Sequence, residues 1–285
     1  MGFPEPIDNA RPWTRHLYRG ALPLALIVWL LPLFGIAWTS IRSAEDVNRG
    51  NIWGWPADIR VVENYQEAFT ESPFGHFLLN SFIITVPAVA ATLAISTMAG
   101  FALAKQRFPG SNILLALFLA GNFVPHQILM VPVRDMMIGT VPLYDTRFAL
   151  IVFHTAFQTG FCTFFMATFV RTVPDHLIDA ARTDGAGELT ILRKIVVPLV
   201  RPALAALAVL EFTFIWNDYF WSLVLVQSDA VRPVTAGLQA LKGMYQTSWH
   251  VLSAAAILAA LPPVVLFFLM QRHFVAGLTR SATLR

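Results

Sequence analysis

The sequence predicts an all-α membrane protein of six transmembrane helices with both termini in the cytoplasm, and three observations lead there. Of 285 residues 56% are hydrophobic and 13% charged, with a mean hydropathy of +0.60, which is too apolar for an ordinary globular chain. Six separate apolar runs come near the roughly 20 residues a helix needs to cross a bilayer. Lys and Arg fall unequally in the segments between them, and that bias sets orientation.

Residues 1–20 form a cytoplasmic N-terminal segment in which Arg11, Arg15 and Arg19 precede the first run, about Ala21–Ile41. That run is longer than a signal-peptide core and reads as an uncleaved first span. The extracytoplasmic loop 42–75 holds the turn Trp53-Gly54-Trp55-Pro56 and an amphipathic helix near Val61–Phe69. Aromatic residues beside a span read first as interfacial anchors. The next spans are about Phe77–Ala104, Asn112–Val133 and Phe148–Val170. A cytoplasmic segment, 171–201, precedes the last two, about Pro202–Val226 and Val251–Met270. The six-helix transmembrane domain is thus 21–270, followed by a cytoplasmic tail, 271–285. Pro23, Pro32, Pro87, Pro125, Pro132, Pro262 and Pro263 fall in the spans, where neighbours or water can satisfy freed carbonyls, as along transport pathways.

A cytoplasmic N-terminus places 13 Lys and Arg residues inside (Arg182, Arg193 and Lys194 among them) and 7 outside (Arg42, Arg49, Arg60, Arg134, Arg147, Arg232 and Lys242). Acidic residues of the 42–75 loop partly offset the outer set. The opposite orientation would invert the rule.

Several functions are excluded. The net charge of +3 is scattered, which argues against nucleic-acid binding. Cys162 is the only cysteine, so there is no intrachain disulfide and no Cys-based zinc site; it reads as a small buried hydrophobe. The three lysines, Lys105, Lys194 and Lys242, do not follow glycines; a phosphate loop of the GxxxxGK[ST] type is therefore absent and ATP is not bound that way. HExxH, GxSxG and clustered carboxylate–histidine patterns are also missing, leaving an enzyme reading without residues.

The most informative segment is Asp179–Pro198, a short polar helix-turn-helix pattern between two apolar runs. Ala180 and Ala181 give a small-residue face, Gly185 a turn, and a second apolar helix ends at Val197-Pro198, together a surface another protein can grip. Within the spans, a charge at the bilayer centre costs about 2.5–3.5 kcal/mol on insertion scales, so polar residues there require a reason. Glu211 and Asp218, seven residues apart, fall on one face of the fifth span about 10 Å apart along its axis, with Ser222 continuing it. His154 and Gln158 align on the fourth span, and Asn122, His126 and Gln127 gather around Pro125 in the third. Such faces look inward, as a solute path or as interhelical hydrogen bonds worth about 0.6 kcal/mol each. For the lone carboxylate of Glu211 the polar-interior reading is favoured.

Asp179-Ala180-Ala181, three residues, Gly185, nine residues, then Ile195-Val196-Val197-Pro198 resembles the EAA motif of ABC importer permeases, whose pattern is EAA, three residues, G, nine residues, I-x-L-P. Further residues resemble the carbohydrate-uptake, maltose-permease-like branch of type I importers: Asn80-Ser81, Lys105-Gln106-Arg107-Phe108-Pro109-Gly110, Pro125 with Pro132, Trp216-Asn217-Asp218, and the closing Gln271 to Thr279. The chain departs from the pattern at Asp179, where Glu is usual, at Val197, where Leu is usual, and in the tail after Thr279, which reads Arg-Ser-Ala-Thr-Leu-Arg.

The resemblance implies a type I ABC importer permease fold in the bacterial plasma (inner) membrane. It implies a cytoplasmic coupling helix that enters a groove on the ATPase, with Asp179, Ala180, Ala181, Asp184, Gly185, Ile195 and Pro198 as its residues. Asp179 would pair with a basic group of the ATPase. The substrate pathway would draw on Asn122, Gln127, His154, Gln158, Glu211, Asn217 and Asp218. Implied partners are a second homologous permease, an ATP-binding cassette dimer that holds ATP and magnesium, and an extracytoplasmic solute-binding protein, with a mono- or oligosaccharide as substrate. This chain itself would bind no cofactor or metal. A non-sugar solute such as glycerol phosphate is the alternative within this class; outside it stands a secondary transporter or channel with Glu211 and Asp218 as an ion-coupling pair.

Overall fold

The computed structural model describes residues 12–50, 53–106, 108–242 and 248–282, and regular structure there is helical apart from one antiparallel bridge between Arg42 and Ile59. In chain order the helices are α1 (Pro12–Ser40), α2 (Ala44–Asn48), α3 (Val61–Gln66), α4 (Phe74–Lys105), α5 (Ser111–Gly121), α6 (Met130–Gly139) and α7 (Arg147–Arg171). They continue with α8 (Asp175–Thr183), α9 (Glu188–Ile191), α10 (Val197–Trp216), α11 (Phe220–Leu225), α12 (Val234–Ala240) and α13 (Trp249–Ala282). Five helical runs are long and apolar enough to cross a bilayer, and α5 with His126–Gly139 makes a sixth if that bent pair is one span. The chain forms two compact units, 1–71 with 242–257 and 72–241 with 258–285.

In the first unit α1 begins at Pro12, so much of the expected N-terminal segment is already helix; residues 1–11 lie outside the described part. Pro23 and Pro32 sit within α1 without ending it. Beyond α1 the chain folds around a buried ion pair, Arg42 Nε to Asp46 Oδ2 at 2.7 Å, and Arg42 Nη2 also donates to the Gly54 carbonyl. Trp38 Nε1 reaches that same carbonyl, and its ring meets Trp55 edge-on. The helix expected near Val61–Phe69 exists as α3 with a π-helical turn at Glu67–Glu71, yet its buried face is Asn64 and Ala68 while Val61 and Val62 stay exposed. Hydrogen bonding reverses the apolar expectation here: Asn64 Nδ2 donates to the carbonyls of Ser40 and Arg42.

In the second unit α4 and α7 pack along their length. Close approach needs Gly100, where an added Cβ would lie 2.9 Å from the Ala167 nitrogen and from Met166 Cβ. One apolar core gathers Phe101, Cys162, Met166, Ile178, Ile191 and Leu207, and another Ile84, Met137, Leu150, Phe153, Trp221 and Leu225.

Two expected spans change shape. The third is two helices meeting at 87°. Pro125 has no N–H to donate, and the residue before a proline is disfavoured in helical conformation, so the helix stops at Gly121 and restarts through a 3-10 turn at His126–Leu129. At 1.5 Å per residue α5 alone is about 16 Å long, short of a bilayer core. The fifth span is displaced: instead of Pro202–Val226, a helical run extends from Glu188 to Trp216 and breaks before Asp218. The apolar helix expected to end at Val197-Pro198 therefore continues into the membrane helix. A π-helical turn at Leu192–Val196 precedes Pro198; proline occupies the first turn of α10, where its missing N–H costs least. Of the other expected span prolines, Pro87 lies inside α4, Pro262 and Pro263 inside α13, and Pro132 in the first turn of α6. The sixth span continues as helix to Ala282, beyond Met270, so much of the expected 271–285 tail is helical; residues 283–285 lie outside the described part.

Candidate functional site

The Asp179 segment folds as a helical hairpin. Its first arm, α8, starts after Pro174 and puts Ile178 into the apolar core with Val173, Ile191 and Val196, leaving Asp179, Ala180, Arg182 and Asp184 exposed. Spacing creates this division, since Leu177, Ala180, Ala181 and Asp184 cannot all follow Ile178 inward at 100° per residue. Gly185 has φ +81°, the left-handed conformation that only glycine adopts without cost. With it, the Gly185 N–H donates to the Arg182 carbonyl and the Ala186 N–H to the Ala181 carbonyl, the pair of bonds of a Schellman cap. Ala181 and Ala186 pack against the core beneath. The second arm is α9, the π-helical turn and α10, with Ile195 half-buried and Pro198 exposed.

Charges brace the hairpin from outside. Arg182 Nε and Nη2 donate to Glu188 Oε1 and Oε2 at 2.9 and 3.3 Å, and Nη1 to Asp179 Oδ1 at 3.4 Å. The hydrogen bond from Arg182 holds the Glu188 carboxyl below the usual carboxylate range against the opposing effect of burial, helped by the guanidinium charge and a hydrogen bond from Gln106. The same pairing raises Arg182 above its ordinary value. Sequence reasoning found neither Glu188 as the partner of Arg182 nor Lys105 as a tie to the start of α8. Lys105 Nζ donates to the Val173 carbonyl at 2.5 Å and to Asp175 Oδ1 at 2.6 Å; a lysine closing an apolar run was its one visible signal.

The residues expected along a pathway divide. Glu211 is fully buried on α10, accepting from Cys162 Sγ at 3.1 Å, while its Oε2 has no hydrogen-bond partner. Cys162 is thus also a donor, beyond a plain hydrophobe. Asp218 does not share a helix face with Glu211, because α10 ends at Trp216 and Asn217 caps it. It lies just before α11 and ties down its first turn: Oδ1 accepts from the Trp221 N–H, and Oδ2 from the Ser222 N–H and hydroxyl. Ser222 therefore belongs to this cap and does not extend a Glu211 face. His154 Nε2, on α7, lies 3.6 Å from Asp218 Oδ2, and both are largely buried. Gln158 stands one turn along α7, half-buried. Asn217 is exposed and donates to the Thr213 carbonyl. The trio expected around Pro125 does not gather: Asn122 donates back to the Phe118 carbonyl, His126 packs against Phe157, Phe220 and Trp221, and Gln127 is exposed.

A latch that sequence reasoning missed lies around 226–234. Asn80, fully buried, donates to the carbonyls of Ala230 and Arg232 and accepts from Arg147 Nε at 2.8 Å. Ser81 accepts from the Val234 N–H. Asp145, at φ 57°, accepts from the N–H groups of Gln227 and Ser228. Burial pushes its carboxyl up, but those N–H donors and the Arg232 charge outweigh it and hold it below the ordinary value. Among the described residues, no group of three His, Cys, Asp or Glu side chains is placed to hold a metal ion.

Long apolar helices around paired cores, with a polar helical hairpin continuous with one of them, define an all-helical, multi-pass membrane protein. The family of binding-protein-dependent transport system inner membrane components matches residues 96–280, and the chain belongs to it: an ABC transporter permease subunit of the inner membrane, distinct from the ATPase. It is 31% identical to the melibiose/raffinose/stachyose import permease protein MelC of Bacillus subtilis over 88% of this chain and 90% of that one. It is 30% identical to the sn-glycerol-3-phosphate transport system permease protein UgpE of Escherichia coli over 96% and 99%. A chain of the crystal structure of a bacterial ABC transporter involved in importing the acidic polysaccharide alginate shares the fold with a TM-score of 0.81 at 22% identity, covering 96% of this chain and all of that one.

Proposed function

We propose that this chain is one of two permease subunits of an ATP-driven importer for a mono- or oligosaccharide, with α8 as the helix that receives movement from the ATPase. The single observation carrying the coupling role is the hairpin: an exposed polar helix, capped through Gly185 at φ +81° and continuous through α9 and α10 with a membrane-crossing helix. A push on α8 therefore reaches the bilayer through rigid structure. Six spans, counting the broken pair as one crossing, would leave both termini and α8 on one side of the membrane, and the Lys and Arg bias supports the cytoplasm as that side. ATP and magnesium belong to the ATPase dimer, and a solute-binding protein delivers substrate from outside, as the family description supports.

The sugar assignment is supported by the named substrates of MelC, and UgpE favours a second reading, a glycerol phosphate, at similar identity. Reconstitution with the companion permease, ATPase and binding protein separates them: ATP-driven uptake of labelled melibiose, raffinose and glycerol 3-phosphate is measured in parallel. Gly185 has open space around it, so only its backbone conformation is at stake. Gly185→Asn, which tolerates left-handed geometry, keeps uptake. Gly185→Pro, which can neither adopt φ +81° nor donate an N–H, abolishes the cap, retaining ATP hydrolysis while uptake falls about tenfold or more. Unchanged uptake in Gly185→Pro would overturn the coupling role.

A further inference from the structure

Backbone joins α8 to α7 and, through the Gly185 turn, to α10, but α4 reaches the hairpin only through side chains. Lys105 ends α4 with its side chain 6% exposed, whereas Asp175 across from it is 72% exposed. An ammonium so far from water needs its donors satisfied, and two of them go to the linker and first turn of α8: the Val173 carbonyl and the Asp175 carboxylate. Gln106 leaves the helix in extended conformation and, with Lys105, faces the hairpin beside Asp175, Asp179 and Arg182. These ties bound a half-enclosed cavity of about 630 Å³ whose wall includes Lys105, Asp175, Asp179 and Arg182. Below them Phe101 of α4 shares a core with Ile178 and Ile191. Apolar contact is non-directional and lets helices slide; a charge-assisted hydrogen bond to a backbone carbonyl fixes direction and distance.

We propose that Lys105 is a positioning residue that lashes the end of α4 to the first turn of α8, so that displacement of α8 moves α4 together with α10. This rests on the coupling reading of α8. α10 follows by helical continuity from Glu188 to Trp216; α4 packs against α10 through apolar contact that can slide, and Lys105 fixes its position along the hairpin. Because α4 packs along α7, the lash delivers one displacement to three membrane helices. Without Lys105, α10 moves and α4 lags.

The test uses the complete transporter in lipid nanodiscs, with spin labels at Met98→Cys and Thr183→Cys, both exposed positions; the native Cys162 is buried and stays unlabelled. Dipolar distances are recorded without nucleotide and after trapping with magnesium, ADP and vanadate. The parent gives one narrow distance in both states. Lys105→Gln broadens the trapped-state distribution at least about twofold while ATP hydrolysis stays within about twofold of the parent, the pattern of lost coupling. Lys105→Arg, which keeps the charge and the donors, restores the narrow distance. A parent-like distribution in Lys105→Gln overturns the lash, as does a Lys105→Arg variant as broad as Lys105→Gln. Should Lys105→Gln fail to assemble, Asp175→Asn decides in its place, since Asp175 is itself 72% exposed and Lys105 keeps the Val173 carbonyl: a broadened distance supports the lash and an unchanged one overturns it. Gly185→Pro runs beside them. If it uncouples while the lash variants keep the parent distance, only the lash fails; if it leaves uptake intact, the coupling reading of α8 fails.

Discussion

At the scale of single residues, Asp218 and Glu211 show how the same side-chain type acquires different work from its backbone. Asp218 sits past the end of α10 and accepts two N–H groups of α11, the service an N-terminal cap provides. Asp218→Ala costs about 1 kcal/mol of local stability and speeds hydrogen exchange at Trp221 and Ser222, while Asp218→Asn, which keeps an acceptor, recovers most of the protection. Equal exchange in the alanine variant would show that the cap is not what holds α11. Glu211, by contrast, is fully buried, accepts from one thiol donor and leaves its Oε2 without a hydrogen-bond partner. Its burial agrees with an inward-facing carboxylate, yet the two acids read from a seven-residue spacing as one face belong to separate features once the helix breaks between them.

At the scale of elements, the hairpin combines a conformational lock with an electrostatic one. The Schellman bonds depend on Gly185, and the arms are tied by Arg182 and Glu188. Because pairing with Arg182 lowers the Glu188 carboxyl, its contribution is present above the ordinary value of 4.5 and is lost as pH falls through the lowered one. A spin label at the exposed Thr183 accordingly gains mobility as pH drops below 4.5, and Glu188→Gln removes that dependence. A label whose mobility ignores pH in this window would mean that the pair does not brace the turn. The hairpin was legible because small residues, a glycine and a polar stretch between apolar runs are local signals. Lys105 was not, because its partners Val173 and Asp175 lie 68 and 70 residues away.

At the scale of the whole molecule, orientation is the property with most at stake, since it decides on which side of the membrane the proposed coupling helix α8 lies. Maleimide labelling of single cysteines checks it in right-side-out vesicles. Thr183→Cys is protected from an impermeant reagent until the membrane is opened, whereas Trp55→Cys, at an 82% exposed position in the 42–75 segment, reacts at once. The reverse pattern would invert the topology and, with it, the site of ATPase contact. The positive-inside bias behind this expectation acts over short loops near span ends, which describes 171–201 well.

The sequence by itself determined the membrane class, the apolar runs and the hairpin's turn, because hydropathy, composition and glycine spacing act over a few neighbouring residues. Tertiary structure decided where those runs bend and which polar groups meet. Pro125 splits the third span at 87°, although Pro23, Pro32 and Pro87 leave their helices unbroken. The Asn80–Arg147 hydrogen bond and the Lys105–Asp175 pair, 67 and 70 residues apart, exist only after folding, because a buried charge or amide takes the partner that packing brings to it, however distant in the chain.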